Sequence, residues 1–301
     1  MTGTAEHIPP QDTMLEYLEG VSLWQDAWRR LKGNKMAMAG GGALLLIVLA
    51  CILSPWIAPF PYWEIHHADA NIPPSAKYWF GTDQLGRDIF SRVLFGGRIS
   101  LMVGLVATTV SLLIGVTYGA LSGYLGGRVD NIMMRFVDIL YGLPFMFFVI
   151  ILVVAFGRNL LNLFIALGAV QWLTMSRITR GQALSIRAKE YIMAARTAGA
   201  GMPAILMRHM IPNLLGPIVV YATLTVPAVM LEEAFLSFLG LGVQAPMASW
   251  GSLASDGIAT IEYYRWQIFF PGLALAVTLF SLNFLGEGLR DALDPQMNDK
   301  G

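Results

Sequence analysis

The 301-residue chain is 55% hydrophobic and only 13% charged, where soluble domains carry about 25% charged residues. Twenty Lys and Arg balance twenty Asp and Glu, so there is no net basic field to hold a nucleic acid. A mean hydropathy of +0.58 sets much of the apolar surface against lipid, and the length then counts spans rather than soluble domains. One cysteine, Cys51, excludes an internal disulfide and any Cys-rich metal site.

The opening stretch carries Glu6, Asp12, Glu16, Glu19 and Asp26 before any Arg or Lys and has no apolar core, so it does not read as a cleavable signal peptide. Met14, Leu18, Val21, Trp24, Trp28 and Leu31 recur every three or four residues and stripe one face of a helix that runs into Arg29 and Arg30. That pattern predicts an amphipathic helix, either lying in the membrane interface with its indoles at headgroup level or packed on another subunit. Residues 1–35 are read as a cytoplasmic segment built around this helix. The run Val48-Leu49-Ala50-Cys51 resembles a lipoprotein cleavage box, but it continues apolar as Ile52-Leu53 where a mature lipoprotein turns polar.

Crossing a hydrocarbon core about 30 Å thick takes about 20 mostly apolar residues. Six runs qualify: 36–58, 101–124, 136–156, 160–178, 214–239 and 268–285. Stretches such as 43–53 and 145–156 lack the polar face of a soluble helix and the two-residue alternation of a barrel strand. The expected fold is therefore all-α, a polytopic membrane protein with six transmembrane helices. A six-span domain is expected over 36–293, with long outer segments at 59–99 and 241–267, a polar connection at 178–213, and a tail at 294–301.

Lys and Arg set the orientation. With both termini inside, fourteen fall on the cytoplasmic side: Arg29, Arg30, Lys32, Lys35, Arg128, Arg135, Arg177, Arg180, Arg187, Lys189, Arg196, Arg208, Arg290 and Lys300. Six remain outside: Lys77, Arg87, Arg92, Arg98, Arg158 and Arg265.

No lysine follows a glycine, so there is no Gly-Lys-[Ser/Thr] phosphate-binding loop and any ATP that drives this protein is bound by another chain. His66 and His67 are adjacent, and adjacent side chains diverge, so they make a poor metal site; neither a metal nor a cofactor is expected in this chain. A membrane enzyme needs catalytic side chains converging at one depth, and the acids here are scattered without a neighbouring His or Cys. A secondary transporter normally shows internal repeats, and the six runs show none.

The polar connection is the most informative. A helical stretch over 188–198 meets Gly199-Ala200-Gly201, and Pro203 then opens a second helix. Ala194, Ala195, Ala198 and Gly199 leave a surface that another backbone can approach closely, ringed by Arg187, Lys189, Glu190 and Arg196. Within the spans, Gly115, Gly119 and Gly123 repeat every four residues and permit close helix contact. Pro144, Pro227 and Pro271 sit inside apolar runs and free backbone carbonyls, which bends a helix or lines a water-filled path; the sequence does not say which of the three does so. Ionisable groups at membrane depth point to function by default; Glu232 and Glu233 are the candidates for a translocation path, Glu233 the better one because it directly precedes the Phe-Leu-Ser-Phe-Leu-Gly run, while Asp138 and Glu287 read as terminal charges beside Arg135 and Arg290.

The segment from Glu190 through Tyr191, Ala194, Ala195, Arg196 and Gly199, followed by Arg208-His209-Met-Ile-Pro212-Asn213, resembles the "EAA" loop of ABC-importer permeases in their peptide and nickel branch. Met193 stands where the usual loop has its acid. Four further segments resemble the same branch and bring the likeness to nearly the whole chain: Ser22-Leu23-Trp24 with Arg29-Arg30; Phe80-Gly-Thr-Asp83-Gln-Leu-Gly86-Arg87-Asp88 on to Leu101; Phe235 to Gly242 with Ser249-Trp250-Gly251; and Gly288 to Pro295. Residues 121–127 and 145–150 look most like the second permease subunit of bacterial oligopeptide importers. The resemblance implies a type I importer permease fold with an N-terminal elbow helix and a cytoplasmic coupling helix. It also implies a multi-pass location in the bacterial inner membrane and partners: a homologous second permease, two ATP-binding subunits, a periplasmic substrate-binding protein, a peptide substrate and membrane lipid. Dipeptides, glutathione or nickel are the alternative cargoes. By the same resemblance Glu190, Tyr191, Ala194, Ala195, Arg196 and Gly199 couple to the ATPase, and the chain is a transport subunit rather than an enzyme.

Overall fold

A computed structural model of the chain describes residues 23–293. Among them there is no strand, only one isolated bridge between Thr82 and Asp88. α1 (Leu23–Gly33) is amphipathic and buries Ala27 and Leu31 against Ala37 and Ala292. Met14, Leu18 and Val21 of the predicted stripe lie outside the described residues. Asn34 caps α2 (Lys35–Ile52), its side chain accepting from the Ala37 amide at 3.1 Å and satisfying one of the amides that every helix start leaves unpaired. The one-turn α3 (Ser54–Ile57) leads into the long segment before α4 (Ile89–Leu125).

α5 (Gly127–Tyr141) and α6 (Phe145–Phe156) are separate helices bent by 81° at the break between them. This corrects the single run expected over 136–156. Pro144 has no amide to continue the ladder and disfavours helical geometry at Leu143, so the apolar stretch turns where hydropathy reads straight through. α7 (Leu160–Arg187) returns across the bundle. It is followed by α8 (Glu190–Thr197), α9 (Met202–Ile205), a π-helical turn (Leu206–Met210), α10 (Ile211–Phe238), α11 (Trp250–Ile258) and α12 (Trp266–Leu293). Five helical stretches are individually long and apolar enough to cross a membrane, and six spans result if the bent α5–α6 pair counts as one.

The packing is that of a protein in lipid. α4 buries small residues along one face, among them Gly97, Ser100, Gly104, Ala107, Thr108 and Ser111, while Leu105 and Leu113 on the other are about two-thirds exposed. Small residues let helix backbones approach where no water is available to drive association. Gly115, Gly119 and Gly123 all face α7. A Cβ on them would lie 2.6 Å from Met175 Cβ, 2.8 Å from Thr179 Cβ and 2.6 Å from Ala183 Cβ respectively. α2 approaches α12 the same way, Gly40 lying against the Ser281 backbone. α4 begins at Ile89 rather than near Leu101, since Asp88 caps it by accepting from Ser91 N at 2.8 Å and Ser91 Oγ at 2.6 Å.

Candidate functional site

Three places concentrate polar chemistry: the end of the bundle that carries α8, a cavity between α5, α6, α7 and α10, and the end where the 59–88 segment meets α11.

α8 stands on one buried side chain. Ile192 is fully enclosed with Ala120, Ala183, Ile205, Met210 and Leu214, and Glu190, Tyr191, Met193, Ala194 and Arg196 of the same short helix are exposed. Ala195 is half-buried. Gly199 ends the helix at φ 83°, a conformation that costs a residue with a Cβ about 1–2 kcal/mol, and nothing within 4 Å would meet a Cβ there. The Arg196 guanidinium lies over the Tyr124 ring, 4.6 Å from its centre, so this charge is held against the end of α4. Tyr191, Met193, Met202 and Met207 leave an apolar, conformationally adaptable surface exposed beside it.

This end is braced by two ion pairs that the sequence pattern did not disclose. Arg180 on α7 grips Asp130 on α5 with two bonds of 2.6 Å, and Ser122 on α4 donates to the same carboxylate at 2.6 Å. One carboxylate thus joins three helices. Arg177 pairs with Asp138 at 2.7 Å and stacks on Tyr141; the expected neighbour of Asp138 was Arg135, one turn along its own helix. Glu287 is exposed near the end of α12.

The two adjacent acids of α10 part company, as neighbours on a helix must. Glu233 is 1% exposed and its Oε1 accepts from Ser237 Oγ at 2.8 Å and Ser249 Oγ at 2.7 Å, tying α10 to the cap of α11. Glu232 faces a cavity of about 470 Å³ walled by residues 140–145, Phe148 and the α7 stretch from Ala169 to Thr174. There Gln171 Nε2 reaches both its oxygens, at 2.7 and 2.9 Å.

Where the 59–88 segment meets α11, the Gly-Thr-Asp-Gln-Leu-Gly-Arg-Asp run at 81–88 organises itself. Thr82 Oγ1 donates to the Asp69 carbonyl at 2.6 Å and accepts from the Ile72 amide at 2.8 Å. Asp83 accepts from the Leu85 and Arg87 amides and from the Arg87 and Arg92 guanidiniums. Gly86 takes φ 76°. Asp69 accepts from Tyr78 Oη at 2.5 Å and pairs with Lys77 at 2.9 Å; those contacts, Tyr78 first, hold its carboxyl below the usual range. Trp250 is buried against Gly97 and donates to the Val93 carbonyl at 2.8 Å. No group of three or more His, Cys, Asp or Glu suited to a metal occurs among the described residues.

Comparison with known proteins now fixes the class. The family described as "binding-protein-dependent transport system inner membrane component" matches residues 115–299, and the "N-terminal TM domain of oligopeptide transport permease C" matches 22–74. The chain belongs to this family of multi-pass membrane permeases, in the branch of the oligopeptide and dipeptide permease C proteins. It is 52% identical over 281 residues to the oligopeptide transport system permease protein OppC of Escherichia coli K12, covering 93% of both chains. It is 49% identical over 278 residues to the dipeptide transport system permease protein DppC of Bacillus subtilis, covering 92% of this chain and 87% of that one. The fold is shared with the MetNI methionine ABC transporter in an inward-facing conformation, at TM-score 0.56 and 18% identity over 67% of this chain and 96% of that one.

Proposed function

We propose that this chain is one of two homologous permease subunits of an importer that carries oligopeptides from the periplasm across the bacterial inner membrane. Its energy comes from two ATP-binding subunits, and its cargo from a periplasmic binding protein. The observation that carries the reading is α8: a short helix anchored by Ile192 with its remaining face exposed, in a chain half-identical to named peptide permeases along nearly all its length. Glu190, Tyr191, Ala194, Ala195, Arg196 and Gly199 are then the contact with the ATPase, and α8 and both termini lie in the cytoplasm. The 59–88 segment and α11 form part of the surface that receives the binding protein, and Glu232 borders the path, with Glu233 holding the helix beside it.

Reconstituting the chain with its partner permease, ATPases and binding protein in vesicles tests this directly. ATP-dependent uptake of a tripeptide is expected, and Gly199→Trp should insert normally but lose the rise in ATPase rate on adding loaded binding protein. Gly199→Ala introduces the same backbone strain without the bulk and should retain most of it. Purification of the chain as a stable lone monomer, or a normal response from Gly199→Trp, would overturn the assignment. Dipeptides are the second reading, because a relative with that name, at 49% identity, falls within the range of those named for oligopeptides; competition between peptides of two to six residues separates them.

A further inference from the structure

The cavity at Glu232 is charged in one sense only. Its walls are apolar except for Gln171, Thr174, the Tyr141 ring and the Glu232 carboxylate, and no Lys, Arg or His lines it among the described residues. Arg177, which stacks over Tyr141 at the edge, is already paired with Asp138. Gln171 gives Glu232 a single neutral donor nitrogen shared between two oxygens, although a carboxylate has room for about four donors. An ionised side chain at membrane depth is costly unless it meets a counter-charge or lines a polar passage, and among the described residues no cation lines the cavity to supply that charge. The placement adds to this. Glu232 sits six residues before the end of α10, about 9 Å inside it at 1.5 Å per residue, and faces the break between α5 and α6 where the wall is not continuous helix.

We infer that the Glu232 carboxylate, steadied by Gln171, is a binding site for a primary ammonium group of the passing substrate, in a cavity whose other walls carry no charge. The site rests on the peptide-import reading for the identity of its ligand, but its preference for cations does not. In a peptide the ammonium comes from the amino terminus or from a lysine side chain. A carboxylate without side-chain pockets around it suits a carrier of varied sequences, because every unmodified peptide offers the same positive group.

Two measurements on the reconstituted complex decide it. In a Cys51→Ser background, Thr174→Cys places an exposed thiol on the cavity wall. A methanethiosulfonate reagent carrying an ammonium should modify it at least about tenfold faster than the sulfonate reagent, after correction for their rates with a free thiol. Adding Glu232→Gln should bring that ratio near one, and Glu232→Asp should largely restore it. In the Cys51 protein, Glu232→Gln should lower uptake of trialanine and trilysine about tenfold each if the amino terminus is read. The loss is confined to trilysine if the side chain is read. A reagent ratio that ignores residue 232 overturns the site, and unchanged uptake of both peptides overturns its role with substrate. A wild-type complex that takes up no peptide overturns the peptide reading, while the reagent ratio, read without substrate, still decides whether the cavity selects cations.

Discussion

A single methyl group placed on Gly119 tests whether the contact of α4 with α7 is as close as the structure has it. A Cβ there would lie 2.8 Å from Thr179 Cβ and 3.0 Å from the Arg180 amide nitrogen, and would also run into the Ser176 carbonyl. Two of these three neighbours are backbone atoms of α7 that no rotamer change removes, so the helices must part. Overpacking of this kind costs about 1–3 kcal/mol, and the better helix propensity of Ala returns about 1 kcal/mol. With backbone in the way the upper part of that range applies, leaving a net loss of about 1–2 kcal/mol. Gly42 lies mid-helix in α2, exposed and with nothing within 4 Å of its Cβ position, so Gly42→Ala keeps only the propensity gain. At about 2 °C per kcal/mol for a chain of this size, the melting midpoint of the purified complex should fall by about 2–4 °C for Gly119→Ala and hold or rise slightly for Gly42→Ala. Equal midpoints for the two variants would refute the close approach, and with it the packing role given to Gly115, Gly119 and Gly123.

Other expectations bear on the charged braces and on topology. In a double-mutant cycle, Arg180→Gln and Asp130→Asn should show a coupling of about 1–3 kcal/mol, at the lower end because Arg180 is about one-third exposed; additive losses would show that the pair is not formed. Glu233→Leu strands the hydroxyls of Ser237 and Ser249 and should destabilise by about 2 kcal/mol, whereas Glu233→Gln keeps an acceptor; uptake by Glu233→Gln at the wild-type rate removes Glu233 from the translocation path. Asp69 has its carboxyl pKa lowered by Tyr78 and Lys77, so its contribution is present above about pH 4, the ordinary carboxylate range, and is lost as pH falls through the lowered value. Proteolysis of the 59–88 segment should therefore accelerate only in acid, and Asp69→Asn should bring that sensitivity to neutral pH. In a Cys51→Ser background Ala76→Cys should react with an impermeant reagent from outside and Ala200→Cys only from inside, and the reverse pattern would invert the proposed orientation.

What the sequence disclosed follows from which interactions are local. Apolar runs report spans because lipid imposes one requirement along their whole length, and the helix before Gly199 was legible because a left-handed stop leaves a glycine in the chain. Pro144, Pro227 and Pro271 are all candidates to bend a helix, but hydropathy averages across such a site and does not single out Pro144, where the 81° bend falls, from the two that lie inside continuous helices. Asp138 was assigned to Arg135 by helical spacing, yet its partner is 39 residues away on α7; spacing identifies candidates on one helix and says nothing of the helix packed against it. In the sequence Glu233 is the preferred path residue because it directly precedes the Phe-Leu-Ser-Phe-Leu-Gly run, but the two acids lie about 100° apart around α10, and the neighbouring helices seal Glu233 beneath Ser249 and leave Glu232 facing a cavity.

The polar contacts also bear on how a movement at α8 would travel under the proposed mechanism. α7 has 28 residues, about 42 Å of continuous helix, and it holds its neighbours at every level. Gln171 meets α10, Met175 to Ala183 lie against the glycines of α4, Arg177 and Arg180 grip α5, and Arg187 donates to the Leu125 carbonyl at 3.2 Å. Only two residues separate α7 from α8. A displacement of α8 by a docked partner is thus delivered first to α7, and α4 and α5 must follow because the glycine contacts and the Asp130 pair leave them little freedom to slide. α6 is tied to α7 at its end, where Asn162 donates to the Phe156 carbonyl, and through Val149 and Val153, buried in one cluster with Leu163 and Leu167. It is apolar throughout, Phe147, Ile151 and Phe156 are more than 60% exposed, and a sharp bend separates it from α5. Closely packed interfaces move as rigid bodies, so under the proposed mechanism the bend at 142–144, between α5 and α6, is where the shape around Glu232 would change when α7 moves.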